Sequence, residues 1–197
     1  MIEVGDPINL KEVVNCFFKL VNQTPGLKIT QKGRLMVKVT DNTDQYASYS
    51  FIFVYPDDKN WDKYLEMCFE YLNESWPKVF SDKRIMKDYE KQLKDRFFQK
   101  NRCFLFLKKR NKTIGLANLY FHEDSLFVAE YYIVPDERRQ KTGYKSFLNI
   151  IRWAKNKAKN IKIEVDKDLE NANNFWLSFN CTLDNLGKRN IYIIMLS

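Results

Sequence analysis

The sequence predicts an α+β fold, with a mixed, mostly antiparallel central sheet flanked by helices. Three observations carry that prediction. The apolar residues change period along the chain, from two to about 3.6 and back, tracing strand, helix, helix, three strands, helix, strand, helix, strand. The three consecutive strands are joined by connections of hairpin length, RNK and HEDS, so they run antiparallel. A composition of 45% hydrophobic and 15% aromatic over 197 residues supplies one sizeable core and excludes a disordered chain.

The first helix signal is Asn9-Leu10-Lys11-Glu12, where Asn9 can cap and Glu12 can reach back to it. Leu10, Val13, Val14, Phe17, Leu20 and Val21 then share a face, and Pro25-Gly26 ends the run. Residues 27–39 read as two short strands around Lys32-Gly33. The polar stretch TDNTDQ at 40–45 is the natural boundary, so residues 1–47 form a helix-plus-hairpin extension packed on a main domain of 48–197. There, SYSFIFVYP (48–56) is a strand, and Trp61, Leu65, Cys68, Phe69 and Leu72 have helical spacing. Met86, Tyr89, Leu93 and Phe97 mark a second helix over 82–98, and the three strands follow at 103–109, 113–121 and 126–134. A helix from Gly143 to Lys159 turns Phe147, Leu148, Ile151, Ala154 and Ala158 inward and leaves Lys145, Asn149, Arg152, Lys155 and Lys159 in water. A strand at 161–165, a short helix over 171–179 and a strand at 191–196 complete the chain.

Several function classes fall away at this level. No apolar run nears the ~20 residues that a membrane helix needs. The first residues lack the basic start and apolar stretch of a secretion signal. Cys16, Cys68, Cys103 and Cys181 are scattered without a CxxC pair, as reduced thiols in the cytoplasm would be. His122 is the single histidine and falls in a loop, so no metal site is expected. No G-x-S-x-G elbow marks a serine hydrolase. The net charge of +8 points to an acidic partner or a polyanionic ligand, although an AT-rich coding bias toward Lys, Asn and Ile produces the same figure.

Residues 134–148, VPDERRQKTGYKSFL, hold the clearest functional signal. A strand ends at Val134, and Arg138, Arg139, Gln140 and Lys141 crowd the mouth of a helix whose dipole repels cations. An anion held by the unpaired N–H groups of that helix start reverses the sign of the penalty. Gly143 lets the backbone approach it closely. A solvated basic loop is the alternative from these residues alone.

In this strand-to-helix context, Gln140-Lys141-Thr142-Gly143-Tyr144-Lys145 resembles the Q/R-x-x-G-x-G/A signature of the GNAT superfamily of acyl-CoA-dependent N-acyltransferases. Gln140 and Gly143 match, Leu148 falls where that family's helix usually carries a leucine, and Lys145 departs from the final small residue. The likeness extends over residues 48–197. It implies acetyl-CoA as the acyl donor substrate. It implies that the chain from Arg138 and Arg139 through Gln140, Lys141, Thr142, Gly143 and Tyr144 to Lys145 grips the pyrophosphate. The backbone of Ile133 and Val134 would pair with the pantetheine arm like an added strand. Lys145 either crowds the phosphates or swings out and adds a charge contact.

Direct transfer to an amine needs a freed amine, a polarised thioester and a proton for the departing thiolate. Members of the family place a glutamate base on the strand before the motif, and Glu130 stands there. By alternation it shares a face with Tyr132 and Val134, opposite Tyr131 and Ile133; an ordinary rim residue is the alternative. The family's usual acid is a tyrosine in N-x-x-A-x-x-x-Y-x-x-x-G-F. Residues 171–181 read NANNFWLSFNC, with Trp176 at the tyrosine position and Asn180-Cys181 for Gly-Phe. An indole N–H cannot protonate a thiolate, which leaves solvent, Ser178 or Tyr132. Asn171 or Asn174 hydrogen-bonds the pantetheine, or caps the helix.

These readings converge on an N-acetyltransferase whose acceptor is an amine, nucleic-acid-linked or on an acidic protein if the basic surface selects it. The alternative is a GNAT-fold binding module, weakened at Lys145, Trp176 and Asn180, that uses 100–112 and 152–162 to hold nucleic acid or a protein. Residues 1–47 would cover the sheet edge, shape the acceptor groove, or pair two chains as a homodimer.

Overall fold

Period-two alternation in the strands and 3.6-residue spacing in the helices put apolar side chains on both faces of one sheet. A computed structural model describes residues 27–29, 35–37, 49–56, 58–99 and 101–196. The helix expected at 9–21 lies outside the described residues. The strands are β1 (Leu27–Ile29), β2 (Leu35–Val37), β3 (Tyr49–Val54), β4 (Arg102–Lys109), β5 (Lys112–His122), β6 (Ser125–Ile133), β7 (Asn160–Asp166), β8 (Thr182–Leu186) and β9 (Arg189–Met195). The helices are α1 (Trp61–Ser75), a single turn α2 (Pro77–Phe80), α3 (Lys83–Gln99), α4 (Thr142–Ala154) and α5 (Glu170–Leu177). Among the described residues the sheet runs β1-β2-β3-β4-β5-β6-β7-β9-β8, and every neighbouring pair is antiparallel except β6 with β7.

Helices α1 and α3 cover one face. Trp61, Tyr64, Leu65, Cys68 and Leu72 of α1 and Leu93 of α3 pack on Phe104, Phe106, Leu116 and Tyr132. Helices α4 and α5 cover the other, where Phe147, Ile150, Trp153, Trp176 and Phe179 meet Leu105, Leu107, Val128, Ile161 and Ile163. Each buried ring or branched chain contributes about 1.5–3 kcal/mol against an exposed one.

Three local outcomes differ from the sequence expectation. In α4 the innermost line is Phe147, Ile150, Trp153 and Ala154, with Leu148 and Ile151 at its margin. Asn149, expected in water, is buried because its amide donates to the carbonyl of Tyr49 on β3, 3.0 Å away. Helix α4 also stops at Ala154. There the Lys157 N–H tightens onto the Ala154 carbonyl (2.8 Å), and the Lys159 N–H is drawn to the Asp124 carbonyl (2.7 Å). Strand β8 was not expected, since TLDNL is exposed along its whole length and shows no buried face. Its hairpin is closed by Gly187 at φ +55°, a left-handed turn position that glycine adopts freely.

Two features of β6 place the cleft. The pairing with β5 slips between Asn118 and Leu119, which face Glu130 and Val128, so Ala129 is an extra residue in the strand. The parallel pairing with β7 ends at Val128 and Ile163. Beyond that point the two strands continue, to Ile133 and Asp166, without hydrogen-bonding each other.

Candidate active site

The gap between the diverging ends of β6 and β7 opens into a cleft of about 1410 Å³ that passes from the α4–α5 face to the α1 face. It lies outside the C-terminal ends of the two parallel strands, where sheets of this kind bind ligands. Of the residues singled out by sequence, Tyr132, Ile133, Arg138, Arg139, Lys141, Thr142, Gly143, Tyr144, Asn171, Asn174 and Ser178 line it. Glu130, Val134, Gln140 and Lys145 do not.

The loop from β6 to α4 is pinned at both ends. A 3-10 turn at Pro135–Glu137 buries Glu137 against Lys109 and Lys112 of the β4–β5 hairpin, each 2.9 Å away. These two lysines, Lys112 first, hold the Glu137 carboxyl below its ordinary range. Arg138 forks onto Glu74 of α1 at 2.5 and 2.7 Å, donates to the Ile133 carbonyl at 2.7 Å and leans over the Tyr132 ring. Its side chain is therefore a brace between α1 and the loop, and it does not stand free for a phosphate as the sequence reading had it. Gln140 donates to the Asp136 carbonyl at 3.3 Å.

Backbone conformation bears on the register of the motif. Arg139 and Lys141 adopt φ +59° and +58°, left-handed positions that favour glycine. A Cβ on Gly143 would meet Ile133 and Phe175 at 3.2 and 3.3 Å. We infer from these positions a register two residues earlier than the expected 140–145, with Arg138 leading, Lys141 at the turning glycine and Gly143 at the final small residue. Lys145 neither crowds the loop nor lines the cleft, because its ammonium lies 6.0 Å from the centre of the Tyr49 ring. Within the loop, the Thr142 hydroxyl is buried at the start of α4 and has no hydrogen-bond partner among the described residues.

Main-chain hydrogen bonding separates Ile133 from Val134. The Val134 N–H donates to the Ile114 carbonyl and its carbonyl accepts from Glu137 N–H, both at 3.0 Å. The Val134 N–H is thus committed to β5, and its carbonyl already accepts one bond. In an antiparallel ladder successive residues point their polar groups to opposite sides, so Tyr131 and Ile133 turn theirs away from β5 toward the cleft, where the Ile133 carbonyl already accepts from Arg138. The Tyr131 hydroxyl donates to the Gly143 carbonyl at 2.7 Å and ties this edge to α4.

Glu130 shares the face of Tyr132, but it is buried behind the cleft wall. The Ala129 bulge sets this orientation, since Val128, two residues earlier, faces α4. The Tyr89 hydroxyl of α3 donates to Glu130. Burial pushes the Glu130 carboxyl above its ordinary range, while Tyr89, Asn118 and Arg102 pull it back. Burial likewise keeps the Tyr132 hydroxyl protonated beyond its usual range. Ser178 spends its proton on the Phe175 carbonyl at 2.6 Å. Trp176 packs edge-on against Phe147, 4.8 Å between ring centres. Leu169 is the N-cap of α5, so neither Asn171 nor Asn174 caps it. The buried asparagine of that helix is Asn173, which accepts from Tyr192 and Asn190 at 2.7 Å and donates to the Leu169 and Asp166 carbonyls.

Sequence reasoning missed Arg102, which lines the cleft from the first position of β4. It assigned Tyr89 only to a packed helix face. Three lysines of the basic stretch 100–112 are engaged within the fold: Lys108 bonds Thr113, and Lys109 and Lys112 bond Glu137. Among the described residues no three His, Cys, Asp or Glu side chains converge as metal ligands. None of the described helices is long and apolar enough to cross a membrane.

No curated protein matches the chain. Solved structures do. The chain is similar to the PaiA N-acetyltransferase of Thermoplasma acidophilum in complex with coenzyme A, at 15% identity over 75% of this chain and 99% of that one, TM-score 0.56. It is similar to an acetyltransferase of Streptococcus agalactiae, at 14% identity over 76% and 99%, TM-score 0.59. It is similar also to the N-acetyltransferase PseH of Campylobacter jejuni, at 14% over 76% and 99%, TM-score 0.56. At such identities these likenesses show the fold. The family model described as acetyltransferase (GNAT) family matches residues 65–180, a span that holds most of α1, the split pair of strands and the loop at 138–143. By fold, cleft and sequence model together, the chain belongs to the GNAT acetyltransferase family.

Proposed function

We propose that the protein transfers an acyl group, in the first instance acetyl, from coenzyme A to an amine by direct attack within this cleft. The observation that carries the reading is the unpaired edge of β6 beyond Val128, which opens beside a loop with left-handed residues at Arg139 and Lys141 just before the start of α4. Left-handed turns at a helix start make an anion-binding concavity. The orphaned Thr142 hydroxyl sits beside it, and Arg139 and Lys141 add charge. One structural neighbour, the PaiA enzyme, was solved with coenzyme A bound.

In this reading the pyrophosphate rests on the backbone of 139–143, and the pantetheine arm pairs with Tyr131 and Ile133. Asn171 or Asn174 holds the arm from α5. Glu130 takes the amine proton through a water, since its carboxylate is set behind the wall. Tyr132, kept protonated by burial and open to the cleft, supplies the proton to the leaving thiolate.

Calorimetric titration of the protein with acetyl-CoA tests the binding step. Saturable heat and a melting temperature that climbs with ligand concentration are expected; no interaction at millimolar acetyl-CoA ends the reading. Glu130→Gln should keep that binding and lower amine-dependent thiol release by about 100-fold.

A further inference from the structure

On the α1 face the cleft is walled by Tyr71, Trp76, Tyr120 and Phe127. Tyr120 and Phe127 stack at 4.9 Å. The guanidinium of Arg102 lies over the Tyr120 ring at 4.8 Å. This arginine is 9% exposed, and its Nε is buried with no hydrogen-bond partner. Its Nη1 donates to Asn118 Oδ1 at 2.9 Å. Asn118 is the cross-strand neighbour of Glu130, so the guanidinium reaches the row of the expected base.

Buried cations are ordinarily met by an anion. Among the described residues Arg102 forms no ion pair, and its side-chain hydrogen bond goes to the neutral amide of Asn118. Three carboxylates that line the cleft are already matched. Glu74 holds Arg138, while Glu164 and Asp166 hold Arg189 at 3.0 Å each. Arg102 is thus a buried cation available to a ligand at the aromatic end of the cleft, away from Arg139 and Lys141 of the loop. A guanidinium fork matches the planar geometry of a carboxylate, as it does that of a phosphate.

We infer that the acceptor is a free α-amino acid with an apolar side chain, its carboxylate held by Arg102 and its side chain lying among Tyr71, Trp76, Tyr120 and Phe127. Arg102 on β4 and Glu130 on β6 are joined through Asn118 of the intervening β5, which accepts from Arg102 and faces Glu130, so a carboxylate on the one and an amine beside the other fit groups borne on a single α-carbon. The amine nitrogen attacks the thioester carbonyl, forming the C–N bond as the C–S bond breaks. Glu130 receives the amine proton, and the thiolate leaves to be protonated as the free thiol. The inference rests on the acyl-transfer reading above.

The test compares L-phenylalanine with its methyl ester, which keeps the amine and ring and loses the carboxylate. Thiol release from saturating acetyl-CoA should show kcat/KM for the acid higher by roughly 10- to 100-fold, the range of a charge-assisted hydrogen bond. Arg102→Gln should erase the preference by lowering the acid alone, and Arg102→Lys should restore part of it. An Arg102 that merely holds the fold would lower both probes by the same factor, which overturns the inference. So does an ester used as well as the acid, no turnover of the acid by a protein that binds acetyl-CoA, or a stronger response to O-phosphoethanolamine. If acetyl-CoA itself fails to bind, the transfer reading falls separately. Thermal stabilisation by L-phenylalanine but not by its ester then still decides whether Arg102 holds a carboxylate. Should Arg102→Gln fail to fold, the same two measurements on Arg102→Lys and the unaltered protein decide.

Discussion

From Ser125 to Val128, strand β6 is paired on both sides, to β5 and to β7; after the bulged Ala129, from Glu130 to Ile133, it is paired on one side only. The paired half carries Leu126 and Val128 into the core beneath α4. The open half carries Glu130, Tyr131, Tyr132 and Ile133, and it meets the loop, the buried arginine and the aromatic wall. A strand that keeps its partner spends its main-chain polar groups on the ladder, and one that loses it must offer them to something else. That difference teaches where the chemistry can be, because only the open half can take an extended ligand as a temporary neighbour.

The strongest way to break the open half acts from β5. A Cβ on Gly115 would fall 2.0 Å from the Tyr132 carbonyl oxygen, a main-chain atom that cannot step aside. Gly115→Ala is expected to cost about 3 kcal/mol or more, lowering the melting temperature by about 10 °C and weakening acetyl-CoA binding with it. Gly187→Ala is the control. Nothing lies within 4 Å of a Cβ there, so its cost is the left-handed φ alone, about 1 kcal/mol. Equal losses in the two variants, by thermal melting, would deny that the β5–β6 contact holds the cleft wall.

Glu130 offers a pH measurement of the same half. Its carboxyl titrates above the ordinary value of 4.5 because burial penalises the charge. The folded state therefore binds a proton more tightly than the unfolded one. The stability this provides is full below that value and fades as pH rises through the folded pKa. Glu130→Gln should remove this fall, so its melting temperature should gain on the unaltered protein as pH climbs from 4.5 toward neutrality. Glu137 has the opposite sign: its depressed carboxyl supports the fold above the ordinary value and loses that support as pH drops. The Glu130→Gln curve should keep this acid-side loss, since Glu137 is untouched. Parallel curves for the two proteins would mean that Glu130 is not protonated in the folded state at these pH values.

Much of this was legible in the sequence and some of it was not, for identifiable reasons. The three-strand meander, the two helices before it and the strand-loop-helix at 134–148 are set by local periodicity and short connections. The face of Glu130 was legible by counting back from Tyr132. The Ala129 bulge was not, because LFVAEYYIV alternates smoothly whether or not a residue is skipped. Arg102 was missed because its partners, Asn118 and Tyr120, lie across a strand pair, and cross-strand register is not a local property. Val134 was misjudged for the same reason, since hydrogen bonds to Ile114 and Glu137 decide its availability. The N-terminal residues 1–47 remain a proposal as an extension; within them, β1 and β2 form a hairpin whose second strand pairs with β3.

The smallest expected effect sharpens the motif itself. A glycine signature hides when lysine occupies the turning position, because φ cannot be read from a residue name. Lys141 at +58° bears a left-handed cost of about 1 kcal/mol, partly offset by the lower chain entropy of a non-glycine residue in the unfolded state. Lys141→Gly should therefore stabilise the protein by about 0.5 kcal/mol, near the limit of a careful melt, while leaving the loop's N–H groups in place. Lys145→Ala separates the two registers. If the signature ran from Gln140 to Lys145, removing that side chain would clear the phosphate site and tighten acetyl-CoA. With the signature at 138–143, Lys145 only touches Tyr49, and acetyl-CoA affinity should stay within about twofold while stability drops by ~0.5 kcal/mol from the lost cation–ring contact. A several-fold tightening by calorimetry in Lys145→Ala, with no gain in Lys141→Gly, would return the motif to its first register and move the anion site two residues along the chain.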